Sequence, residues 1–338
     1  MNSTIVIFVF GALFGGILQY AHLNRFNVIS GQAFLTDNTV AKTILVALGL
    51  GAIILNIEIG AGLAVYHVKP FILGGIIFGG LVFGAGMAIL GYCPGTLVVS
   101  LGEGSLDALV GIIGGLFGGL VFTLLLPSIH SILGPDFGKI SLHSLTGEQP
   151  ILFFILLFVI GILFIYFAFF INKAEKGKNM KWLYAGIAFA VLNGIVFLTA
   201  TTNRPIGAST CFPYLGDLLT GTTENKYFDK IQTPGNWEFI FLFGAFAMAL
   251  VTSMIKKEFK FTLIYSNWKE RKGDSNIKRV VWAFVGGFVL IFGARMAGGC
   301  TSGHIISGGM QLAVSSLVFG AFVFIGLLIT GKLFYNNK

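Results

Sequence analysis

The chain has 338 residues, of which 55% are hydrophobic and only 11% are charged, with a net charge of +8. Soluble globular proteins carry about 25% charged residues, so this composition excludes an ordinary soluble fold and indicates that lipid is the solvent. The positive charge does not indicate nucleic-acid binding, because the basic residues lie between apolar runs, where they report orientation in a membrane. Three cysteines cannot all pair with one another, so the chain is not a disulfide scaffold.

Nine apolar runs approach the length of about 20 residues that a membrane-spanning helix needs. In chain order they are 4–20, 44–65, 71–90, 107–126, 150–172, 183–203, 237–255, 280–298 and 305–331. No Lys or Arg precedes the first run, unlike in a signal peptide, so we interpret it as a span. The last run begins in a stretch rich in Gly and Ser, and we expect it to start as a short half-helix. The sequence therefore predicts an all-α polytopic membrane protein in which residues 1–338 form one transmembrane domain.

Nine spans place the two termini on opposite sides, and the basic residues predict which side is which. With the N-terminus outside, sixteen of the 22 Lys and Arg residues fall in inner loops or at the C-terminus, including Arg279 and Lys338. Five fall in outer loops, including Lys69, and Arg295 lies within a span. This bias predicts a multi-pass protein of the bacterial cytoplasmic (inner) membrane with its C-terminus inside. We interpret the charged stretch 256–279 as a solvated cytoplasmic loop and expect no nucleic-acid partner.

Two blocks of the sequence repeat at a constant offset of 207 residues. The first block contains Gly79, Gly80, Gly86, Gly91, Cys93, Ser100 and Gly102, and the second contains Gly286, Gly287, Gly293, Gly298, Cys300, Ser307 and Gly309. Close helix packing explains glycines, but it does not explain a cysteine at the same place in both copies. A weaker echo relates 24–30 to 203–209. The topology puts the first cysteine at the inner end of its span and the second at the outer end. We therefore predict two inverted repeats, 1–140 and 180–338, which is a known transporter design.

Residues that break helices or free backbone N–H groups follow both repeated cysteines. Pro94 and Gly95 follow the first, and Thr301, Ser302 and Gly303 follow the second. A helix that starts inside the membrane aims its N–H groups and its positive dipole end at the gap, which suits an anion. Irregular backbone at this depth must be buried in protein or line a cavity. We therefore expect short re-entrant half-helices whose N-termini line a narrow pathway.

The candidate pathway residues come from these segments and from nearby charges. They are Gly91, Cys93, Pro94, Gly95, Thr96, Arg204, Ser209, Thr210, Arg295, Gly299, Cys300, Thr301, Ser302, Gly303 and His304. A thiol can donate a weak hydrogen bond to a sulfur anion, but each cysteine also fits a small buried hydrophobe, and two would fit a disulfide.

The charged candidates also have two interpretations each. Arg295 is either a functional charge or one half of a structural pair with Glu58. His304 is either a donor to substrate or an ordinary hydrogen-bonded buried histidine, and Arg204 either attracts anions at the outer mouth or stabilises an interface. The sequence has no cluster of His, Cys and acidic residues with metal-ligand spacing, so we expect neither a metal nor a cofactor.

Several of these motifs resemble those of a known family. The stretch 293–308, GARMAGGCTSGHIISG, closely resembles the signature of the YeeE/YedE family of sulfur-compound transporters. The stretch 91–96, GYCPGT, is similar to the matching motif of the first half, and 204–210 is similar to a further family element. The resemblance covers most of the chain. It implies uptake of thiosulfate through a narrow pathway with paired cysteines near the midplane, which map onto Cys93 and Cys300.

The same resemblance implies a partner protein, and the chain departs from the family pattern at one position. The family often carries a further cysteine after an Arg-Phe pair near the N-terminus, whereas here Asn27 follows Arg25 and Phe26. We include Asn27 among the pathway candidates, and we assign no family role to Cys211. A cytoplasmic sulfurtransferase of the small TusA-like type is a partner implied by resemblance alone.

The sequence leaves three classes of function open. We expect a transporter and not an enzyme, and the Gly-x-x-x-x-Gly-Lys-Ser/Thr motif of a nucleotide-driven pump is absent. A membrane thiol enzyme, either a sulfurtransferase or a disulfide-exchange protein, needs an accessible thiolate of low pKa, often in Cys-x-x-Cys. The third class is a scaffold with incidental cysteines, and within the first class the cargo is thiosulfate or another sulfur or selenium compound. We expect the substrate to cross intact, because a thiol in apolar surroundings is a poor nucleophile.

Overall fold

The computed structural model describes residues 3–147 and 149–335, and within them the regular structure is helical apart from isolated β-bridges. The predicted inner position of Lys338 lies outside the described residues. In chain order the helices are α1 (Ser3–Tyr20), α2 (Phe26–Ala33), α3 (Thr39–Gly60), α4 (Leu73–Leu90), α5 (Pro94–Gly102), α6 (Leu106–Leu133), α7 (Leu142–Leu145), α8 (Pro150–Ala174), α9 (Lys181–Phe197), α10 (Cys211–Thr220), α11 (Lys226–Ile255), α12 (Ser266–Lys272), α13 (Asn276–Met296), a π-helix (Thr301–Gly308) and α14 (Val314–Tyr335).

Eight helical segments of the described chain are long and apolar enough to cross a membrane. They are α1, α3, α4 taken with α5, α6, α8, α11, α13 and α14. The predicted span 183–203 corresponds to α9, which is apolar but only 17 residues long, because the chain turns after Phe197. The predicted span 305–331 is divided, because Leu312 adopts a positive φ of 49° between the π-helix and α14. The chain is therefore a polytopic α-helical membrane protein with eight long apolar segments.

The repeated glycines bring α4 and α13 into close contact at the centre of the molecule. A Cβ on Gly79 would lie 2.7 Å from the backbone nitrogen of Ala297, and a Cβ on Gly286 would lie 2.8 Å from that of Leu90. A Cβ on Gly293 would clash with the backbone of Phe83. Because residue numbers rise along α4 as their partners' numbers fall along α13, the two helices are antiparallel. Close packing of small residues, the simpler explanation of these glycines, therefore holds.

The outer surface is as apolar as the interior. Along α8, only Phe153, Leu157, Gly161 and Ala168 are buried, and the remaining side chains are mostly exposed Ile, Leu and Phe. This helix packs on α3 through a glycine contact, in which a Cβ on Gly49 would lie 2.5 Å from the carbonyl oxygen of Gly161. A large exposed apolar face of this kind is stable only in contact with lipid, which agrees with the composition.

One prediction about the charged inner loop is wrong. Arg279 is not solvated but fully buried, and its Nη2 lies 2.6 Å from Oδ2 of the equally buried Asp107. The same nitrogen donates a hydrogen bond of 2.7 Å to the carbonyl oxygen of Leu90, the last residue of α4. The guanidinium carbon lies 4.6 Å from the ring centroids of both Phe26 and Trp268. Arg279 is buried because a forked cation satisfies both a carboxylate and a terminal helix carbonyl.

Candidate functional site: two broken helices and a narrow cavity

The chain breaks at both cysteine motifs, and the backbone takes a similar course each time. After α4, Gly91 has a φ of 81° and Cys93 is extended, forming the N-cap of α5. After α13, Gly298 has a φ of 73° and Cys300 is extended, forming the N-cap of the π-helix. Glycine is favoured at both positions because L side chains rarely adopt such positive φ values. Both cysteines therefore stand immediately before the first turn of a short helix.

The first motif is held by a local network around Cys93. The backbone N–H of Cys93 donates to Oγ1 of Thr96 over 2.8 Å, and the same hydroxyl lies 3.0 Å from the Cys93 carbonyl oxygen and 3.4 Å from its Sγ. This is a capping box in which Thr96 fixes the start of α5. Pro94 occupies the first helical position, where its missing N–H costs nothing. The thiol of Cys93 is partly exposed.

The second motif buries its thiol more deeply. Cys300 is fully buried, and its Sγ lies 3.3 Å from Oγ of Ser302. The side chain of Thr301 is 8% exposed, and its Oγ1 has no hydrogen-bond partner within the described residues. All three cysteines lie in the described part of the chain and all are free thiols, so a disulfide between Cys93 and Cys300 is not formed.

One narrow cavity joins the two motifs. Its lining includes Cys93, Gly95 and Thr96 from the first motif, and Thr301 and Ser302 from the second. Most of its other walls are apolar side chains of α1, α3, α4 and α9. The cavity volume is about 50 Å³, which is room for a few water molecules and far less than the roughly 300–1,000 Å³ of a site for a drug-sized ligand. The structure thus brings together five of the predicted pathway residues.

The middle element, 204–210, lies between the two motifs. The carbonyl oxygen of Ile206 accepts a hydrogen bond of 3.3 Å from Ser307 of the π-helix. On the other side, a Cβ placed on Gly95 would lie 3.7 Å from Cβ of Ala208. This segment therefore contacts both cysteine motifs, although the sequence repeat alone does not reveal that it does.

Arg295 contacts hydroxyl groups and not the predicted acid. Its Nε donates to the Tyr227 hydroxyl over 2.8 Å, and its Nη1 donates to Oγ of Ser209 over 3.3 Å and to Oγ1 of Thr210 over 3.2 Å. Glu58 instead lies beside Gly194, so the structural pair with Glu58, one of the two interpretations of Arg295, is not formed. Hydropathy carries no information about which distant side chain a buried charge meets, and Tyr227 has no distinguishing sequence signal.

Glu238 is a second buried charge, and it is not among the candidate pathway residues predicted from the sequence. Its side chain is 4% exposed, and Oε2 accepts hydrogen bonds from the backbone N–H groups of Thr210, over 2.5 Å, and Cys211, over 3.3 Å. The carboxylate therefore stabilises the start of α10, where the helix dipole favours negative charge. The signal was present, because Glu238 lies inside a predicted span, where a charged residue is a functional candidate by default.

His304 has both ring nitrogens occupied by protein groups. Nδ1 lies 3.0 Å from Oγ of Ser316, and Nε2 lies 2.7 Å from the carbonyl oxygen of Ala297. The side chain is fully buried and does not line the narrow cavity. This arrangement fits the ordinary hydrogen-bonded histidine, one of the two interpretations that the sequence left open.

The two remaining candidates lie apart from the cavity lining. The guanidinium carbon of Arg204 lies 4.3 Å from the ring centroid of Trp237. Asn27 donates from Nδ2 to Oγ of Ser266 over 2.9 Å, and its Oδ1 accepts from the backbone N–H of Asn267 over 3.2 Å. The residue that replaces the family cysteine thus fastens α2 to the polar helix α12.

Lys69 is a further residue at the second motif, and the sequence does not single it out as a site residue. It lies in the loop 61–72, outside the spanning helices, yet its Nζ donates to the carbonyl oxygen of Gly298 over 2.5 Å, two residues before Cys300. Burial and the nearby Arg295 guanidinium lower the pKa of Lys69 to about 8. Nothing in the loop sequence marks this lysine, because its contact is with a residue more than 200 positions away.

These features define a polytopic membrane protein in which two free cysteines, Cys93 and the fully buried Cys300, each precede a short helix, and residues of both motifs line one narrow cavity. Residues 25–329 match the family model described as sulphur transport, and the chain belongs to that family, known as YeeE/YedE. The family predicted from the motifs is confirmed. Over 332 residues, 94% of each chain, the sequence is 27% identical to the thiosulfate transporter TsuA of Spirochaeta thermophila. Over 322 residues, 87% of this chain and 84% of the relative, it is 23% identical to the thiosulfate transporter TsuA of Escherichia coli.

Proposed function

We propose that this chain takes up thiosulfate, or a closely related small sulfur anion, across the cytoplasmic membrane along a pathway between Cys300 and Cys93. The observation that carries the proposal is a cavity lined by residues of both cysteine motifs. Both relatives named above are called thiosulfate transporters, which supports the choice of substrate.

The geometry of the motifs suits a small anion stripped of water. A cavity of about 50 Å³ admits little besides the ion itself, so protein donors have to replace its hydration shell. Cys93, Thr96, Thr301 and Ser302 are the residues of the two motifs that line the cavity with a thiol or hydroxyl in their side chains. A thiol is a weak donor, which binds a soft sulfur anion without holding it firmly.

The N-termini of the two short helices add a positive electrostatic potential at the proposed pathway. Each motif places its cysteine at the N-cap of a helix, α5 or the π-helix, where backbone N–H groups and the positive dipole end favour an anion. The antiparallel contact of α4 and α13 supports our proposal that residues 1–140 and 180–338 are inverted repeats with half-helices that meet at the pathway.

The experiment that tests this function is uptake of radiolabelled thiosulfate by cells that lack their own carriers. We expect the native chain to support uptake and both Cys93→Ala and Cys300→Ala to abolish it at equal membrane levels. Cys211→Ala is the matched control, because Cys211 begins α10 and belongs to neither cysteine motif, and we expect it to retain uptake. Activity that survives both pathway substitutions would contradict the proposed route. A well-expressed native protein without uptake would direct the same assay to other sulfur and selenium anions.

A membrane sulfurtransferase is the competing function, and it leaves a different product. A thiolate that attacks the outer sulfur of thiosulfate forms a cysteine persulfide and releases sulfite, whereas transport delivers the ion intact. We propose intact passage, because the Cys93 thiol lies beside a cavity whose other walls are mostly apolar side chains. Thiosulfate labelled separately at each sulfur distinguishes the two: equal uptake of both labels supports passage, and a persulfide on Cys93 or Cys300 with sulfite left outside supports transfer.

The orientation and the inner partner belong to the same proposal. With the N-terminus outside, the anion meets the Cys300 motif before the Cys93 motif. The region around Asn27 and α12 then faces the cytoplasm, where a small TusA-like sulfurtransferase would collect the product. Accessibility of single cysteines introduced into the loops 61–72 and 256–279, probed with a membrane-impermeant thiol reagent, tests the orientation directly.

A further inference from the structure

The side chain of Lys69 is held against the second cysteine motif by its own loop. On one side of it, the backbone N–H of His67 donates to Oε1 of Gln311 over 2.6 Å. The Lys69 carbonyl oxygen accepts a hydrogen bond of 2.9 Å from Oγ of Ser315. The backbone is thus fastened to the segment that follows the π-helix, and the ammonium reaches back to the carbonyl oxygen of Gly298.

Two glycines of the second motif make the space that this ammonium occupies. A Cβ on Gly299 would clash with Nζ of Lys69, and a Cβ on Gly303 would lie 3.4 Å from it. The glycines on either side of Cys300 therefore do more than free backbone N–H groups. They let a cation lie directly against the loop that carries the buried thiol.

The charges around Lys69 do not cancel. Arg204, Arg295 and Glu238 all act electrostatically on the ammonium. Three cations and one carboxylate leave a net charge of +2 in this region, and none of the three cations forms a salt bridge within the described residues. Arg295 and Glu238 are buried and Lys69 and Arg204 are half-buried, so an unbalanced charge of this size is costly there and favours a ligand that brings two negative charges.

We propose that Lys69 is the charge-recognition residue of the outer entrance, where its ammonium leaves the Gly298 carbonyl to pair with an entering dianion beside Cys300. The choice of a transported anion rests on the function proposed above, whereas the preference for two negative charges follows from Lys69 and its neighbours. The ammonium closes the loop when no anion is present and becomes a ligand when one arrives. Lys69 therefore determines which anions enter, and the thiols determine how a sulfur anion passes.

Uptake kinetics test the role of Lys69 without destroying the pathway. We expect Lys69→Gln to raise KM for thiosulfate at least tenfold, with a smaller effect on the maximal rate, and Lys69→Arg to stay near the native value. Lys139→Gln removes an exposed lysine from another loop and should change nothing. An unchanged KM in Lys69→Gln, with Cys300→Ala still inactive, would overturn the charge role and leave the transport function standing.

Binding to purified protein separates this proposal from the choice of substrate. We expect thiosulfate, sulfite and sulfate to raise the melting temperature of the native protein more than thiocyanate, a monoanion, does. Lys69→Gln should remove that difference, even if thiosulfate is not the transported ion. An equal effect of all four anions on the native protein, or a difference that survives in Lys69→Gln, would refute recognition by charge.

A second variant tests the shared space around the ammonium. Gly299→Ala displaces Nζ of Lys69, so we expect it to raise KM as Lys69→Gln does. The two effects should not add in the double variant, because both remove the same interaction. Additive effects would show that Gly299 acts independently of Lys69 and would contradict the arrangement proposed here.

The pH profile supplies a third readout. The titratable and charged groups that face Lys69 are Arg295 from α13, Glu238 from α11, Cys300 and His304 from the second motif, and Arg204 from the middle element. Since the pKa of Lys69 is about 8, its ammonium is charged below that pH and neutral above it. Uptake should fall as the pH rises through about 8, and Lys69→Arg, which stays charged, should remove that fall. A native profile identical to that of Lys69→Arg would refute the assignment.

Discussion

Breaking the buried ion pair beneath the first cysteine motif should destabilise the protein strongly, and removing the whole pair should not. In Arg279→Met, Asp107 loses the one cation with which it forms a salt bridge in the described residues. The Leu90 carbonyl oxygen at the end of α4 loses its hydrogen-bond donor. In the double variant Arg279→Met, Asp107→Leu, no buried charge remains at this place. The contrast between the two variants isolates the cost of an unpaired carboxylate.

The magnitudes follow from the burial of both groups. Removal of one partner of a fully buried pair costs about 3–5 kcal/mol, whereas replacement of both by apolar residues is often neutral or stabilising. Both side chains here are 0% exposed, so the full penalty applies to the single variant. Both variants also remove the donor to the Leu90 carbonyl oxygen, which costs about 1–3 kcal/mol more in each of them. Because the loss at Leu90 is common to both variants, we expect the single variant to be about 3–5 kcal/mol less stable than the double variant.

The assay is unfolding of the purified protein in detergent, followed by tryptophan fluorescence, because Trp268 packs directly on Arg279. Arg25→Met is the matched control, since the Arg25–Glu258 pair spans 3.7 Å with both side chains about half exposed; exposed pairs contribute only about 0–1 kcal/mol. If Arg279→Met were as stable as the native protein, or the double variant as unstable as the single one, the pair would not support the first motif as we argue.

Three further predictions concern the helix contact, the second break and the inner helix. Gly293→Ala should lower the unfolding midpoint, because its Cβ clashes with the backbone of Phe83, whereas Gly16→Ala, whose nearest atom is 3.8 Å away, should be neutral; equal effects would contradict the packing argument. Gly298→Asn should be tolerated better than Gly298→Val in the same assay, because φ is 73° and only the β-branched residue costs much there; the reverse order would refute it. Asn27→Ala should speed tryptic cleavage within α12, which loses its bonds to Asn27, and an unchanged rate would show that other contacts hold the helix.

The sequence predicted the features that local chemistry determines. Long apolar runs gave the spans, because lipid demands them wherever a helix crosses. Pro94 and the glycines at 91 and 298 gave the breaks, because one residue suffices to end a helix or require a positive φ. The two cysteine motifs predicted the segments whose residues line the two sides of the cavity. Each of these signals lies within a few residues of the structure that it determines.

What the sequence did not predict depends on contacts between distant segments. Lys69 meets Gly298, Arg279 meets Leu90, and Arg295 meets Tyr227. A basic residue beside an apolar run has the same appearance whether it is solvated or buried, and only tertiary packing decides between them. The positive-inside rule counted Arg279 as a loop charge for this reason. Glu238 is different, since a carboxylate within a predicted span is visible in the sequence and marks a functional candidate by default.

The two motifs are alike in backbone and unlike in charge, and this difference makes the two ends of the proposed pathway unequal. At the first motif, the nearby cation Arg279 is neutralised by Asp107, and the cavity beside Cys93 is lined mostly by apolar side chains. At the second motif, Lys69 and Arg295 lie close to Cys300 without a salt bridge in the described chain. We therefore expect an anion to be attracted most strongly at the Cys300 side and held least at the Cys93 side. In the proposed function, the two similar breaks become an entrance and an exit because of the residues that pack against them.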